Sequence, residues 1–199
     1  MASGLRIGLT MRVVEATGYH EPRDALAQDW DAFLRAALPE AAWLPIPNVG
    51  RGAARRFCEQ WGINRLILTG GEDPGTSPAR DATEHDLLAW AQEHAIPLLG
   101  ICRGMQVMTV LAGGRLRPVV GHVRTRHRLA GEFAHNVNSY HGQAPAGCPP
   151  GYRALAQAED GEIEAIAHEQ RPWEGWMWHP ERETPPSKAD LARLREMFR

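Results

Sequence analysis

The sequence predicts an α/β fold: a mostly parallel central sheet flanked by helices, flavodoxin-like, with extra antiparallel hairpins. Three observations carry this expectation. Short apolar runs that read as buried strands alternate with stretches of helical periodicity over residues 5–111, the pattern of right-handed βαβ units. The run Pro97-Leu-Leu-Gly-Ile-Cys-Arg-Gly-Met-Gln106 passes from an apolar strand through a glycine-flanked turn into a helical pattern, which is the layout of a nucleophile elbow. After Gly113-Gly114 the texture changes to short alternating segments broken by turns, which reads as hairpins at the sheet's edge.

In chain order, Leu5–Val14 carries Ile7, Leu9, Val13 and Val14 and reads as a first strand. Arg23–Leu38 places Leu26, Trp30, Phe33, Leu34 and Ala37 at helical spacing, and Pro39 closes the run. Trp43–Pro47 reads as a second strand, kept near an edge by its prolines. Gly52–Trp61 is a second helix, Arg65–Thr69 a buried third strand ended by Gly70-Gly71, and Ala82–His94 a third helix. The helix after the cysteine runs from Met105 to Leu111. Arg115–Ala167 supplies the hairpins, Gly175–His179 a last buried strand ended by Pro180, and Ser187–Phe198 a terminal helix capped by Ser187. No repeat, low-complexity stretch or linker interrupts this, so one domain over 1–199 is expected.

The chain has 199 residues, 43% hydrophobic and 23% charged, with a net charge of -2. That balance gives no reason to expect nucleic-acid or membrane partners. No apolar window approaches the length of a membrane span, and the start lacks a signal-peptide core. Three cysteines without a close pair suit a reducing cytoplasm better than a disulfide framework or a zinc site.

Cys102 is the candidate nucleophile. Glycines at 100 and 104 remove Cβ clashes around a sharp turn, and the start of the following helix favours a thiolate. Such a cysteine needs a base and a group that orients the base. Trp178-His179-Pro180-Glu181 presents an imidazole and a carboxylate from one strand end. Gly70-Gly71 leaves backbone N–H groups at the end of a parallel strand, where they can join the N–H of Arg103 around an oxyanion; a plain turn accounts for the two glycines equally well.

Gly-Gly at 70–71, Gly-Ile-Cys-Arg-Gly-Met-Gln at 100–106, Val-Asn-Ser-Tyr-His at 137–141 and Trp-His-Pro-Glu at 178–181 together resemble the class I glutamine amidotransferase superfamily, and within it the γ-glutamyl hydrolase-like enzymes. The resemblance runs over nearly the whole chain. It implies a Cys102, His179, Glu181 triad that cleaves a γ-glutamyl amide through a thioester. It also implies an oxyanion hole from the Gly71 and Arg103 backbone, with Gly70, Gln106, Asn138, Ser139, Tyr140 and His141 around the substrate. Many such hydrolases have His-His-Gln where this chain reads His141-Gly142-Gln143. No cofactor is implied.

Residues 94–131 contain no Asp or Glu but carry Arg103, Arg115, Arg117, Arg124, Arg126 and Arg128, with His122 and His127. Such a run favours an anionic substrate if it faces the cleft, and is a solvated hairpin face if it does not. Four histidines lie between 122 and 141, but no short ligand spacing recurs, so no metal is expected. Tyr19–Asp24, Thr69–Asp73, Arg80-Asp81 with Glu84, Arg126-His127, Ala158–Gly161 with Ile163–Ala165, and Met177–Glu183 resemble the γ-glutamyl-CDP-amidate hydrolases. That likeness implies release of CDP-amidate and glutamate during capsule phosphoramidate synthesis, with Arg126 among the residues meeting substrate. A general γ-glutamyl peptide or polyamine hydrolase is an alternative. So is a glutaminase that needs a separate synthetase chain, and so is a non-catalytic relative, which would be expected to have lost triad residues.

Overall fold

A computed structural model describes residues 4–199. Five parallel strands make one half of a nine-stranded sheet, in the spatial order β4 (Ala42–Ile46), β1 (Arg6–Thr10), β5 (Arg65–Leu68), β6 (Leu98–Ile101) and β13 (Trp173–Trp176). The sheet continues antiparallel through β12 (Ile163–His168), β11 (Tyr152–Ala158), β8 (Val123–Gly131) and β9 (Asn136–Tyr140). The parallel strands are apolar on both sides because both faces are covered. Ile67 of β5 joins Ile7, Leu9, Leu99 and Ile101 under α1 (Asp29–Ala37) and α5 (Lys188–Phe198). Its neighbours Leu66 and Leu68 face α2 (Ala53–Trp61), α3 (Pro78–Glu93) and α4 (Arg103–Leu111). Trp176 and Trp178 stack at 5.2 Å with Phe133 edge-on to both, filling the first of these two cores where the parallel and antiparallel halves meet.

Several elements differ from the sequence expectation. The first strand ends at Thr10, and Arg12–Glu15 is a separate strand, β2, paired antiparallel with β3 (Pro22–Ala25) off the main sheet. Val13 and Val14 are only half-buried, so their apolar character belongs to this hairpin and not to the core. Because Arg23, Asp24 and Ala25 are spent on β3, α1 starts at Asp29 and not at Arg23. The third helix starts a turn early, at Pro78, where a proline's missing N–H costs nothing. β4 is an edge strand, as its prolines require. The region after Gly114 is antiparallel as expected. Most of it extends the main sheet, and β7 (Leu116–Pro118) and β10 (Gln143–Pro145) pair apart from it. The last strand stops at Trp176, which leaves Met177–His179 as a link to a short 3₁₀ turn, Pro180–Arg182. Ser187 caps α5 as expected, accepting from the Asp190 N–H at 3.4 Å.

Candidate active site

β6 delivers Cys102 to the carboxyl end of the parallel strands, the end where open α/β sheets bind ligands. Cys102 has φ 50° and ψ -102°, a conformation an L-residue adopts only under constraint. Its N–H donates to the Trp176 carbonyl at 2.7 Å, and α4 starts at the next residue. The two flanking glycines exist for packing. A Cβ on Gly100 would press into Met108 and the first turn of α4, and one on Gly104 would overlap the Leu68 carbonyl. Helix and strands therefore approach closely enough to force the strained turn onto the cysteine itself.

His179 follows β13 and is held by its backbone. Its N–H donates to Asn138 Oδ1 at 3.0 Å, while Asn138 Nδ2 donates to the His179 carbonyl at 2.8 Å. The imidazole Nδ1 donates to Glu181 Oε1 at 2.8 Å, a carboxylate that can only accept. That leaves the other ring nitrogen for Cys102, which lies close enough to raise the pKa of the imidazole. Burial by itself would lower the imidazole pKa. The Glu181 charge, together with hydrogen bonds to Cys102 and Glu181, outweighs it and raises the value to about 9. Tyr140 packs edge-on against the ring at 5.8 Å, and Arg182 lies over Tyr140 at 4.7 Å.

The glycine loop after β5 closes the arrangement. Gly70 leaves room for the His179 ring, which a Cβ would overlap. Gly71 has φ 155°, and a Cβ there would run into the Arg80 guanidinium and Arg12. Arg80 donates to the carbonyls of Thr69 at 2.7 Å and Gly70 at 3.2 Å, and pairs with Glu72 at 3.0 Å and Glu84 at 2.9 Å. Glu84 also takes Thr10 Oγ1 at 2.9 Å and the Arg103 guanidinium, whose other nitrogen meets Asp81 at 2.6 Å. Arg80, Glu84 and Arg103 are fully buried. This network ties the glycine loop, α3 and the start of α4 into one unit, so the backbone N–H groups of residues 71 and 103 are held by the same charges. The residues resembled a family motif in sequence, but their connection through Glu84 had no signal there.

Several residues expected around the substrate make protein contacts of their own. Ser139 is buried with Oγ donating to the His122 carbonyl at 2.7 Å. His141 is buried against Glu164 and His122. Gln106 Nε2 donates to the Gln143 carbonyl at 3.0 Å. Arg126 is exposed and pairs with Glu183 at 3.0 Å, and Glu183 in turn accepts from Asn138 at 2.8 Å. Three arginines of the run are paired with carboxylates: Arg103 is buried in its network, Arg117 pairs with Glu162 at 2.5 Å, and Arg126 with Glu183. The guanidiniums beside His179 and Glu181 belong to Arg12 and Arg182, which line a cavity of about 40 Å³ with Leu26, Trp30 and Thr69. A larger cavity of about 640 Å³ opens between the β2–β3 hairpin and the start of α3, with Glu15, Asp24 and Glu72 in its walls. Among the described residues no helix is long and apolar enough to cross a membrane.

Comparison with known proteins matches residues 52–196 to the family described as glutamine amidotransferase class-I. The chain is 31% identical, over 96% of both chains, to the γ-glutamyl-CDP-amidate hydrolase of Campylobacter jejuni subsp. jejuni serotype O:2. It is 38% identical to a glutamine-hydrolyzing GMP synthase subunit of Methanothrix thermoacetophila, but over only 43% of this chain and 53% of that one. Two crystal structures share its fold. A proposed GMP synthase subunit from Thermoplasma acidophilum has a TM-score of 0.74 at 17% identity, covering 100% of this chain and 94% of that one. A glutamine amidotransferase from Thermotoga maritima has 0.65 at 14%, covering 96% and 83%.

Proposed function

The chain belongs to the class I glutamine amidotransferase family, and we propose that it is a cysteine hydrolase that cleaves γ-glutamyl-CDP-amidate to glutamate and CDP-amidate. The observation that carries the substrate is the extent of likeness to the Campylobacter enzyme, which includes the residues before 52 that build the β2–β3 hairpin. The likeness to the Methanothrix GMP synthase subunit covers less than half the chain. The work of the enzyme would be done in the cytoplasm, within capsule phosphoramidate synthesis, where a free thiol such as Cys102 stays reduced.

The chemistry follows from the site. His179, whose raised pKa lets it keep a proton, holds the one drawn from Cys102, and the resulting thiolate attacks the γ-carbonyl carbon of the substrate. Negative charge gathers on the carbonyl oxygen, where the Gly71 and Arg103 N–H groups stabilise it. His179, held charged by Glu181, returns its proton to the leaving nitrogen, so CDP-amidate departs and a glutamyl thioester stays on Cys102. His179 then takes a proton from water, hydroxide adds to the thioester, and glutamate leaves as the sulfur is reprotonated. Arg12 and Arg182, which line a cavity with His179, would meet an anionic leaving group. The acids of the larger cavity suit the α-ammonium of the glutamyl group.

The test is glutamate release from γ-glutamyl-CDP-amidate, a γ-glutamyl dipeptide and glutamine, by wild type and Cys102→Ala in parallel. Strong preference for the nucleotide, lost in the variant, is the expected result. Equal turnover of the dipeptide would make the protein a general γ-glutamyl hydrolase. Release from glutamine alone would favour the second reading, a glutaminase serving a separate synthetase, which the likeness to the glutamine-hydrolyzing GMP synthase subunit supports.

A further inference from the structure

A second constellation lies off the Cys102 site. His122 precedes β8, His127 lies on it, His141 follows β9 and Glu164 is on β12. One ligand atom from each lies within 4.8 Å of the other three. His122, His141 and Glu164 are buried, and His127 is half-buried, which gives the group access to solvent.

The hydrogen bonds around this group decide where its protons are. His122 Nε2 faces the Asp160 carboxylate at 2.8 Å, and His141 Nδ1 faces the Gln143 carbonyl at 3.1 Å. Both partners can only accept, so both outward nitrogens carry a proton, and in neutral imidazoles the inward nitrogens are bare. Those bare atoms, His122 Nδ1 and His141 Nε2, stand 3.3 Å apart, each 3.1 Å from Glu164 Oε1. Three acceptors converge on one point. An added proton can bridge two of them, but not all three. It would also leave His127 Nε2 and Glu164 Oε2, both buried and without partners, unsatisfied.

We propose that His122, His127, His141 and Glu164 bind one divalent transition-metal ion, zinc by its donor set, and that the ion fixes the β8–β9 hairpin to β12. The triangle has the size of a coordination face: metal–ligand bonds of about 2.0–2.1 Å in a tetrahedron put ligand atoms about 3.3 Å apart. The outward contacts to Asp160 and Gln143 are the supporting hydrogen bonds that metal-bound imidazoles make, and they present the lone pair inward. The backbone is shaped for it too. Residues five apart on a regular strand face opposite sides. A register shift between Val123 and Thr125, with Arg124 at φ 56°, puts the His122 and His127 rings 4.1 Å apart on one face. The sequence carried no ligand spacing because the four ligands come from three strands and depend on this bulge. The ion would also stiffen one wall of the Cys102 site, since the Gln143 carbonyl holds both His141 and Gln106, and Tyr140 next to His141 packs on His179.

The proposal is independent of the Cys102 chemistry, and its test reads metal directly. The untagged 199-residue chain and its Cys102→Ala form, which removes the thiol as a ligand, are purified without chelator and assayed for metal by mass spectrometry. Close to one zinc per chain is expected in both. Chelation should lower the Tm, and Zn²⁺ should restore it. Co²⁺ in its place should give the visible absorption of a tetrahedral nitrogen–oxygen site without sulfur charge transfer. His127→Ala, at the half-buried ligand, should weaken Zn²⁺ binding at least tenfold and leave the fold intact, with Glu164→Gln as a second variant. Substoichiometric metal together with a Tm that ignores Zn²⁺ and Co²⁺ would show a proton-bridged histidine network and overturn the proposal. So would loss of the zinc in Cys102→Ala, or undiminished binding in both ligand variants.

Discussion

Replacing Glu181 with glutamine keeps shape and an acceptor but removes the charge that sets the state of His179. At 2.8 Å, and an effective dielectric of about 20, the pair gains at most about 6 kcal/mol. Burial of the imidazole opposes this. The net effect, from an ordinary 6.5 to about 9, corresponds to about 3 kcal/mol. Without the charge, only Cys102 and a neutral hydrogen bond at residue 181 still oppose burial, and the His179 midpoint should fall by more than one unit, read by NMR titration of ¹³C-labelled histidine. The same shift links to stability. A folded-state pKa above the unfolded one stabilises fully below about pH 6.5, and that stability is lost as pH rises to and through about 9, with a slope of up to about 1.4 kcal/mol per unit. Wild type should therefore lose stability relative to Glu181→Gln across that window. The difference between the two proteins cancels the buried Cys58 and Tyr152, whose pKa values burial pushes up to about 12. Turnover should fall in Glu181→Gln but stay above that of Cys102→Ala. A His179 midpoint within one unit of wild type, or a pH slope unchanged by the substitution, would refute this account.

Cys102→Ala should keep the fold and lose glutamate release, while Cys102→Gly, which accepts φ 50° freely, should be the more stable of the two by about 1 kcal/mol in urea melts. An alanine form more stable than the glycine form would mean that the turn is not strained. Glu84→Gln leaves Arg80 and Arg103 facing a neutral amide in a buried setting, at an expected cost of about 3–5 kcal/mol by denaturant unfolding. A loss under about 1 kcal/mol would show that the network relaxes around the change. Asn138→Ala removes two hydrogen bonds on the His179 peptide, worth about 1 kcal/mol each. It should lower kcat with KM little changed and the His179 midpoint still near 9; a rise in KM at constant kcat would instead place Asn138 on the substrate.

The parallel half of the sheet was legible because burial on both faces writes itself as apolar runs, and β5 and β6 have no other use for Leu66–Leu68 and Leu98–Leu99. The β2–β3 hairpin was not. Val13 and Val14 look like a continuation of β1, and Leu26 falls in helical phase with Trp30, yet backbone pairing between Arg12–Glu15 and Pro22–Ala25 overrides both patterns. Periodicity reports which faces are apolar and says nothing of a hairpin whose stability comes from its ladder.

At the site, legibility followed sequence distance. Cys102 with its glycines, and His179 with Glu181, are local motifs, and local geometry makes them partners. Asn138 was expected as substrate lining, and the sequence carried no sign of its part as the clamp on the His179 peptide. Arg103 shows the limit most clearly. By sequence its side chain belongs to a positive run, whereas the fold buries that charge against Glu84 and Asp81, partners about twenty positions upstream on α3. A buried ion pair is chosen by topology, since only the crossing of α3 and α4 brings its members together. His122 and His127 obey the same rule. Their common face is made by one bulged residue, Arg124, and no count of intervals along the chain could have anticipated it.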